Sequence, residues 1–159
     1  HETTTSLVSN SVSLFLDHPE QHQKLLDDPT LIEGAVDECL RVESPLQIGN
    51  RQAATDFSFG DHKIKKGTYI HTSIAGANRD PSVFADPHKF DIERKNNKHI
   101  AFIAGIHVCL GATLARMEGR IALGKLLTRF PNMQRNGDAE RLPLARFRGF
   151  TRLPVKLNP

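Results

Sequence analysis

The chain has 159 residues, 38% hydrophobic and 25% charged, with a net charge of +3 at pH 7. This is the composition and length of one ordinary globular domain with enough chain to bury a core. No apolar run approaches a membrane span, no secretory leader is visible, and no repeat or low-complexity stretch interrupts the chain. Lys and Arg are scattered, which argues against nucleic acid and leaves room for an acidic protein partner. Two cysteines, Cys39 and Cys109, make a disulfide framework unsuited and fit a reducing cytoplasm.

In chain order, Leu7, Val8, Val12, Phe15 and Leu16 recur at helical spacing after Glu2-Thr3-Thr4-Thr5, and Asp17-His18-Pro19 stops the pattern. By residue type alone, Glu2 is an acid in a first turn and Thr3 a cap. A short helix is predicted from Pro19 to Asp28. Another runs from Pro29 or Thr30 to about Val42, with Leu31, Ala35, Cys39 and Val42 on one side. Glu38 and Arg41, three apart, share a face of that helix, and Cys39 reads as a small core residue.

From Gly49 to Ser73 the pattern turns to strands: Arg51 to Phe59, Lys63 to Lys65 and Thr68 to Ser73, divided by Gly60-Asp61 and Lys66-Gly67. Asn78-Arg79-Asp80-Pro81 and Phe84 to Phe90 are turn-rich, and Asp91 to His99 is polar and expected to be exposed. Asn136 to Pro159 contains short apolar pieces broken by Gly137, Pro143, Gly149 and Pro154, which predicts terminal strands and turns, including Phe150 to Lys156.

Between these lies Phe102-Ile103-Ala104-Gly105-Ile106-His107-Val108-Cys109-Leu110-Gly111. A glycine turn leads to a single cysteine. Leu110, Leu114, Met117, Ile121 and Leu127 then mark one face of a long helix ending near Phe130-Pro131. Cys109 therefore stands at or just before a helix N-terminus, where unpaired N–H groups and the positive dipole end favour an anionic group. A thiolate held there is a soft, electron-donating metal ligand.

Phe102-x-x-Gly105-x-His107-x-Cys109-x-Gly111 resembles the haem-binding loop of the cytochromes P450, whose cysteine thiolate is the proximal ligand of haem iron. The resemblance implies a mainly α fold with small β-sheets (α+β), binding haem b through Cys109, with Phe102, Gly105 and Gly111 shaping the loop. Glu2-Thr3 resembles the acid–alcohol pair of the distal helix, which implies proton delivery during dioxygen activation. Arg51 and His107 match the positions that pair with the haem propionates. Val36 to Arg41, followed by Ser44-Pro45, resembles the family's Glu-x-x-Arg helix, a buried ion pair beneath the cysteine loop. Two positions depart from the pattern. Ile103 stands where a small residue, most often glycine, is usual; if that backbone has positive φ, a β-branched residue there is strained. Lys89 stands where many members have arginine, so a looser network with Glu38 and Arg41 is expected.

The likeness runs from His1 to Pro159 as the C-terminal part of a P450 domain, with the N-terminal half expected to be absent. It implies a haem-thiolate monooxygenase that hydroxylates or epoxidises a small organic substrate and takes electrons from a ferredoxin or flavoprotein. Arg116, Arg120, Lys125 and Arg129 offer a basic helix face to such a donor, or are simply a solvated face. The alternative is a haem-binding or apo scaffold that pairs with the missing N-terminal half. A zinc site using Cys109, His107 and other histidines fits no common Cys/His spacing.

Overall fold

The computed structural model describes residues 1–158. Three helices carry the core: α1 (Glu2–Asp17), α3 (Ile32–Val42) and α5 (Ala112–Arg129). Between the first two, α2 (Pro19–Asp27) starts on a proline at its first turn, where no N–H is needed, and a 3₁₀ turn at Pro29–Leu31 leads into α3. The single helix expected from Pro29 is thus split. Asp28 caps the 3₁₀ turn by accepting the Thr30 N–H at 3.0 Å. The first residue outside α1 is His1, whose side chain makes no cap bond, so Thr3 lies inside the helix rather than capping it.

α1, α3 and α5 converge at Gly119. A Cβ there would lie 3.2 Å from Leu7 Cδ2 and 3.2 Å from Val36 Cγ1, so a side chain at this position would press on both neighbours and glycine fits the close approach of the three helices. Leu7, Phe15, Val36, Leu40, Leu123 and Leu127 fill the space around this crossing, and Phe15 meets Phe90 edge-on with ring centroids 5.5 Å apart. Cys39 is fully buried in the same core, as its sequence context suggests, and burial pushes its thiol up to about 12.

The residues that the sequence places on one face of α5 divide between two sides. Leu114, Met117 and Ile121 are exposed, as is Leu110 before the helix; Gly119, Leu123 and Leu127 face the core. The helix is apolar on two opposite sides, so spacing alone does not say which side this chain covers.

Among the described residues the strands form four two-stranded antiparallel sheets. β1 (Ile48–Gln52) pairs with β4 (Tyr69–Ser73), with Arg51 opposite Ile70; β2 (Phe57–Phe59) pairs with β3 (His62–Ile64). The strand expected from Arg51 to Phe59 breaks at residues 53–56, where Asp56 instead accepts the Lys66 N–H at 2.8 Å and ties the hairpin base. The one-turn helix α4 (Ile74–Ala77) is capped by Ser73 and was not legible as a pattern. β5 (Gln134–Arg135) pairs with β8 (Val155–Lys156), and β6 (Glu140–Arg141) with β7 (Phe150–Arg152). The terminal strand expected over Phe150 to Lys156 is therefore divided between two sheets at Leu153-Pro154, where proline has no N–H to give a ladder.

The stretch from Asp91 to His99 is exposed only in part, at Glu93, Lys95, Asn96 and Lys98. Ile92 is in the core and the His99 side chain is 1% exposed. Arg94, Asn97 and His99 are drawn in because carboxylates of α3 meet them.

Candidate functional site

Glu38 and Arg41 are both completely buried on α3. Arg41 Nε and Nη2 donate to the two Glu38 oxygens at 2.8 Å each, and its remaining N–H groups reach the carbonyls of Asn78, Pro87 and Lys89. A second guanidinium closes the network: Arg94 Nε lies 3.1 and 3.2 Å from the Glu38 oxygens, with Asn97 Nδ2 at 3.0 Å. Lys89 adds only its carbonyl, which accepts from Arg41 and from Arg94, while its amine pairs with Asp91. The network is thus not loosened by lysine at position 89. Arg94, which sequence reading passed over inside a polar run, supplies the planar fork. The signal was present: Phe90 and Ile92 alternate with polar residues just before it.

This network positions the chain entering the cysteine loop. Asn78, fully buried, donates to Ser44 Oγ at 2.9 Å and accepts the Ile100 N–H at 2.7 Å. Ala101 N–H donates to His99 Nδ1 at 3.2 Å. Phe102 follows, and its carbonyl accepts the Cys109 N–H at 3.0 Å, closing the loop at its base. Inside the loop, Gly105 has φ +70 and opens the 3₁₀ turn Gly105–His107. Gly111 precedes α5, and a Cβ on it would lie 3.8 Å from Cys109 Sγ.

Ile103 has φ +62, the left-handed region that the sequence comparison with glycine anticipated. A β-branched residue there carries about 1–2 kcal/mol of backbone strain. The expected consequence is an inverted size order: Ile103→Gly destabilises less than Ile103→Ala, because alanine loses the half-buried side chain yet keeps the strain. Urea denaturation of the two variants measures the difference, which should be about 1 kcal/mol in favour of glycine.

Cys109 is exposed and lines a cavity of about 490 Å³ between the first turn of α1 and the start of α5. Thr3, Leu40, Leu46, Phe102 and Leu114 share its wall. So the structure brings Thr3, Phe102, Cys109 and Gly111 together. Glu2, Arg51, Gly105 and His107 are not part of that wall. Glu2 and Thr3 line an adjoining cavity of about 370 Å³ with Leu142, Leu144, Phe147 and Phe150. Arg51 Nη1 donates to the Asn50 carbonyl at 2.8 Å, and His107 is exposed on the 3₁₀ turn.

The donor set decides what metal group this cavity suits. Among the described residues no three His, Cys, Asp or Glu side chains are grouped to hold a metal ion, which disfavours zinc. One soft sulfur facing an apolar-walled cavity fits a metal that brings most of its own ligands, as haem iron does.

The cytochrome P450 family model matches residues 2–158. The chain belongs to the cytochrome P450 family. It is 47% identical over 156 residues to the biotin biosynthesis cytochrome P450 of Bacillus subtilis, an alignment that takes in 98% of this chain and 40% of that protein. It superposes on P450BioI in complex with acyl carrier protein ligated to hexadec-9Z-enoic acid with a TM-score of 0.95 at 46% identity, covering 99% of this chain and 41% of the other. The tirandamycin C-bound P450 monooxygenase TamI gives a TM-score of 0.94 at 42% identity, with 99% and 41% covered. This P450 chain thus spans about two fifths of the relatives it matches. Among its described residues no helix is long and apolar enough to cross a membrane.

Asp37, beside Glu38 on α3, binds His99 Nε2 at 3.2 Å and Arg116 Nε at 2.7 Å. Burial pushes its carboxyl up, but hydrogen bonds from His99 and Arg116 and the Arg116 charge outweigh this and hold it below the usual range. A carboxyl lowered by folding stabilises the fold above its unfolded pKa, and this contribution is lost as pH falls through the folded value. Stability is therefore expected to drop below about pH 4, and Asp37→Asn should flatten that acid limb in a pH series of denaturation midpoints.

Proposed function

We propose that this chain is the cysteine-bearing part of a haem-thiolate monooxygenase, in which the Cys109 thiolate would hold the iron of haem b. The observation that carries this reading is the shared cavity, with Cys109 on one side and the Thr3 end of α1 on the other. Bound there, the haem supplies dioxygen activation and the insertion of one oxygen atom into an organic substrate, by hydroxylation or epoxidation.

The residues divide the remaining work. Cys109 donates electron density from sulfur, and Gly111 keeps the space beside Sγ clear. Leu40, Leu46, Phe102 and Leu114 give the cavity its apolar wall. Thr3 holds a hydroxyl in that apolar wall, and the exposed Glu2, on the same turn of α1, carries protons to it from solvent. Gly105 lets the loop turn. Arg51 and His107 would pair with the two propionates, Arg51 through its planar fork. The adjoining cavity at Leu142, Leu144, Phe147 and Phe150 suits the apolar part of a small organic substrate, and the acyl-loaded carrier protein bound by P450BioI makes an acyl chain one such substrate.

Electrons would come from a ferredoxin or flavoprotein, in the cytoplasm. Of the four cations on α5, Arg116 and Arg120 are already paired with Asp37 and Glu33, so a basic docking face rests mainly on Lys125 and Arg129.

A second reading has its own observation. Leu110, Leu114, Met117 and Ile121 are exposed while the chain spans 40% of a close relative. This supports a scaffold whose α5 face is covered by the N-terminal part of the family's fold. The experiment that separates the two is haem titration of the chain followed by the ferrous–CO difference spectrum. A red-shifted thiolate band supports the monooxygenase reading. A colourless protein that unfolds cooperatively overturns it for this chain and leaves the scaffold.

A further inference from the structure

We propose that Asp37, His99 and Arg116 form a positioning clamp that holds the Phe102 ring and thereby fixes the backbone that presents Cys109. The three residues come from three separate elements, α3, the segment before the loop and α5, and two of them, His99 and Arg116, lie against one aromatic ring. The Arg116 guanidinium carbon lies 4.7 Å from the Phe102 ring centroid, over its face. The His99 ring lies against it with centroids 6.1 Å apart and planes inclined at 50°.

Asp37 orients both. Its Oδ1 receives Arg116 Nε at 2.7 Å and faces His99 Nε2 at 3.2 Å. Because His99 Nδ1 accepts the Ala101 N–H, the ring hydrogen lies on Nε2 and is directed at Asp37. One carboxylate therefore sets the plane of a guanidinium and the tilt of an imidazole, and the aromatic ring lies against both. The ring's own backbone carbonyl then accepts the Cys109 N–H at 3.0 Å. From Asp37 to Cys109 every link is a hydrogen bond, a ring contact or the Phe102 residue itself.

The clamp is needed because the loop has little else to hold it. Residues 104–111 are exposed throughout, and Ile103 enters the loop in a strained conformation. Apolar packing around Phe102 would leave the ring free to tilt, whereas a charged plane stacked on it restricts that motion. Asp37, His99 and Arg116 are thus positioning residues, acting through Phe102 rather than on the cofactor. The inference rests on Cys109 being the ligand only for its functional meaning; the mechanical link is a property of the chain itself.

The test is amide hydrogen exchange of the chain without haem, read at Cys109. Arg116→Lys keeps the charge beside Asp37 but removes the flat stacking surface, and Asp37→Asn keeps the shape but removes the charge. Each should speed exchange at Cys109 by about tenfold or more while Cys39 and Leu40 in α3 exchange as before. Glu33→Gln is the control, since the Glu33–Arg120 pair at 2.6 Å joins the same two helices away from the loop and should leave Cys109 unchanged. Cys109 exchange unchanged in Arg116→Lys and Asp37→Asn would overturn the proposal, as would an equal rise in Glu33→Gln. Haem titration is scored separately, so a chain that fails to bind haem counts against the proposed function and not against the clamp.

Discussion

Arg41→Ala is expected to destabilise the protein by about 3–5 kcal/mol, a large share of the roughly 5–15 kcal/mol that holds a single domain folded. The size comes from what is left behind rather than from what is removed. Arg41 is completely buried, fills both Glu38 oxygens and gives its other N–H groups to the carbonyls of Asn78, Pro87 and Lys89. Alanine leaves a buried carboxylate facing Arg94, Asn97 and the Asp91 N–H, with the Asn78 and Pro87 carbonyls short of a donor. Arg41→Lys should recover only part of the loss, because an ammonium has no planar fork to span both oxygens. Guanidinium denaturation read by far-ultraviolet circular dichroism measures both. A loss near that of an exposed pair, below about 1 kcal/mol, would show that the Glu38 site is hydrated in solution.

Cys109→Ala is expected to have the largest functional effect and almost none on stability. Cys109 is exposed, so its truncation should shift the denaturation midpoint by less than about 0.5 kcal/mol. Ligation, by contrast, should be lost altogether. The other cysteine is in the core with its thiol pushed up to about 12, and cannot substitute. The red-shifted ferrous–CO band should vanish in Cys109→Ala and persist in Cys39→Ser, provided the latter folds. A band that survives Cys109→Ala would assign the axial ligand to another residue.

The two variants separate what kinds of information the chain carries. The cysteine loop was legible because its chemistry is local: glycines, a histidine and a cysteine at fixed spacing, followed by a helical period. The same holds for Glu38 and Arg41, which one helical turn brings together, and for Ile103, whose departure from glycine announced the left-handed backbone at φ +62. Helices α1 and α2 were legible because prolines end one and begin the other.

What remained hidden involved partners distant in sequence. Arg94 and His99 looked like solvated polar residues because Glu38 and Asp37, which bury them, lie more than fifty positions away. Which side of α5 faces inward was not legible because the helix is apolar on two sides, and the close approach at Gly119 to Leu7 and Val36 selects one.

The sequence by itself determined the family, the ligand loop and the buried pair beneath it, since each rests on residue types within about ten positions of one another. Tertiary structure alone decided which polar residues are inside and how Phe102 is held. It also decided which of the proposed site residues face Cys109 across one cavity: Thr3 does, while Glu2, Arg51 and His107 stand outside its wall. The physical reason is that burying a charge requires a partner to compensate it, and that partner's place is set by packing rather than by neighbouring sequence.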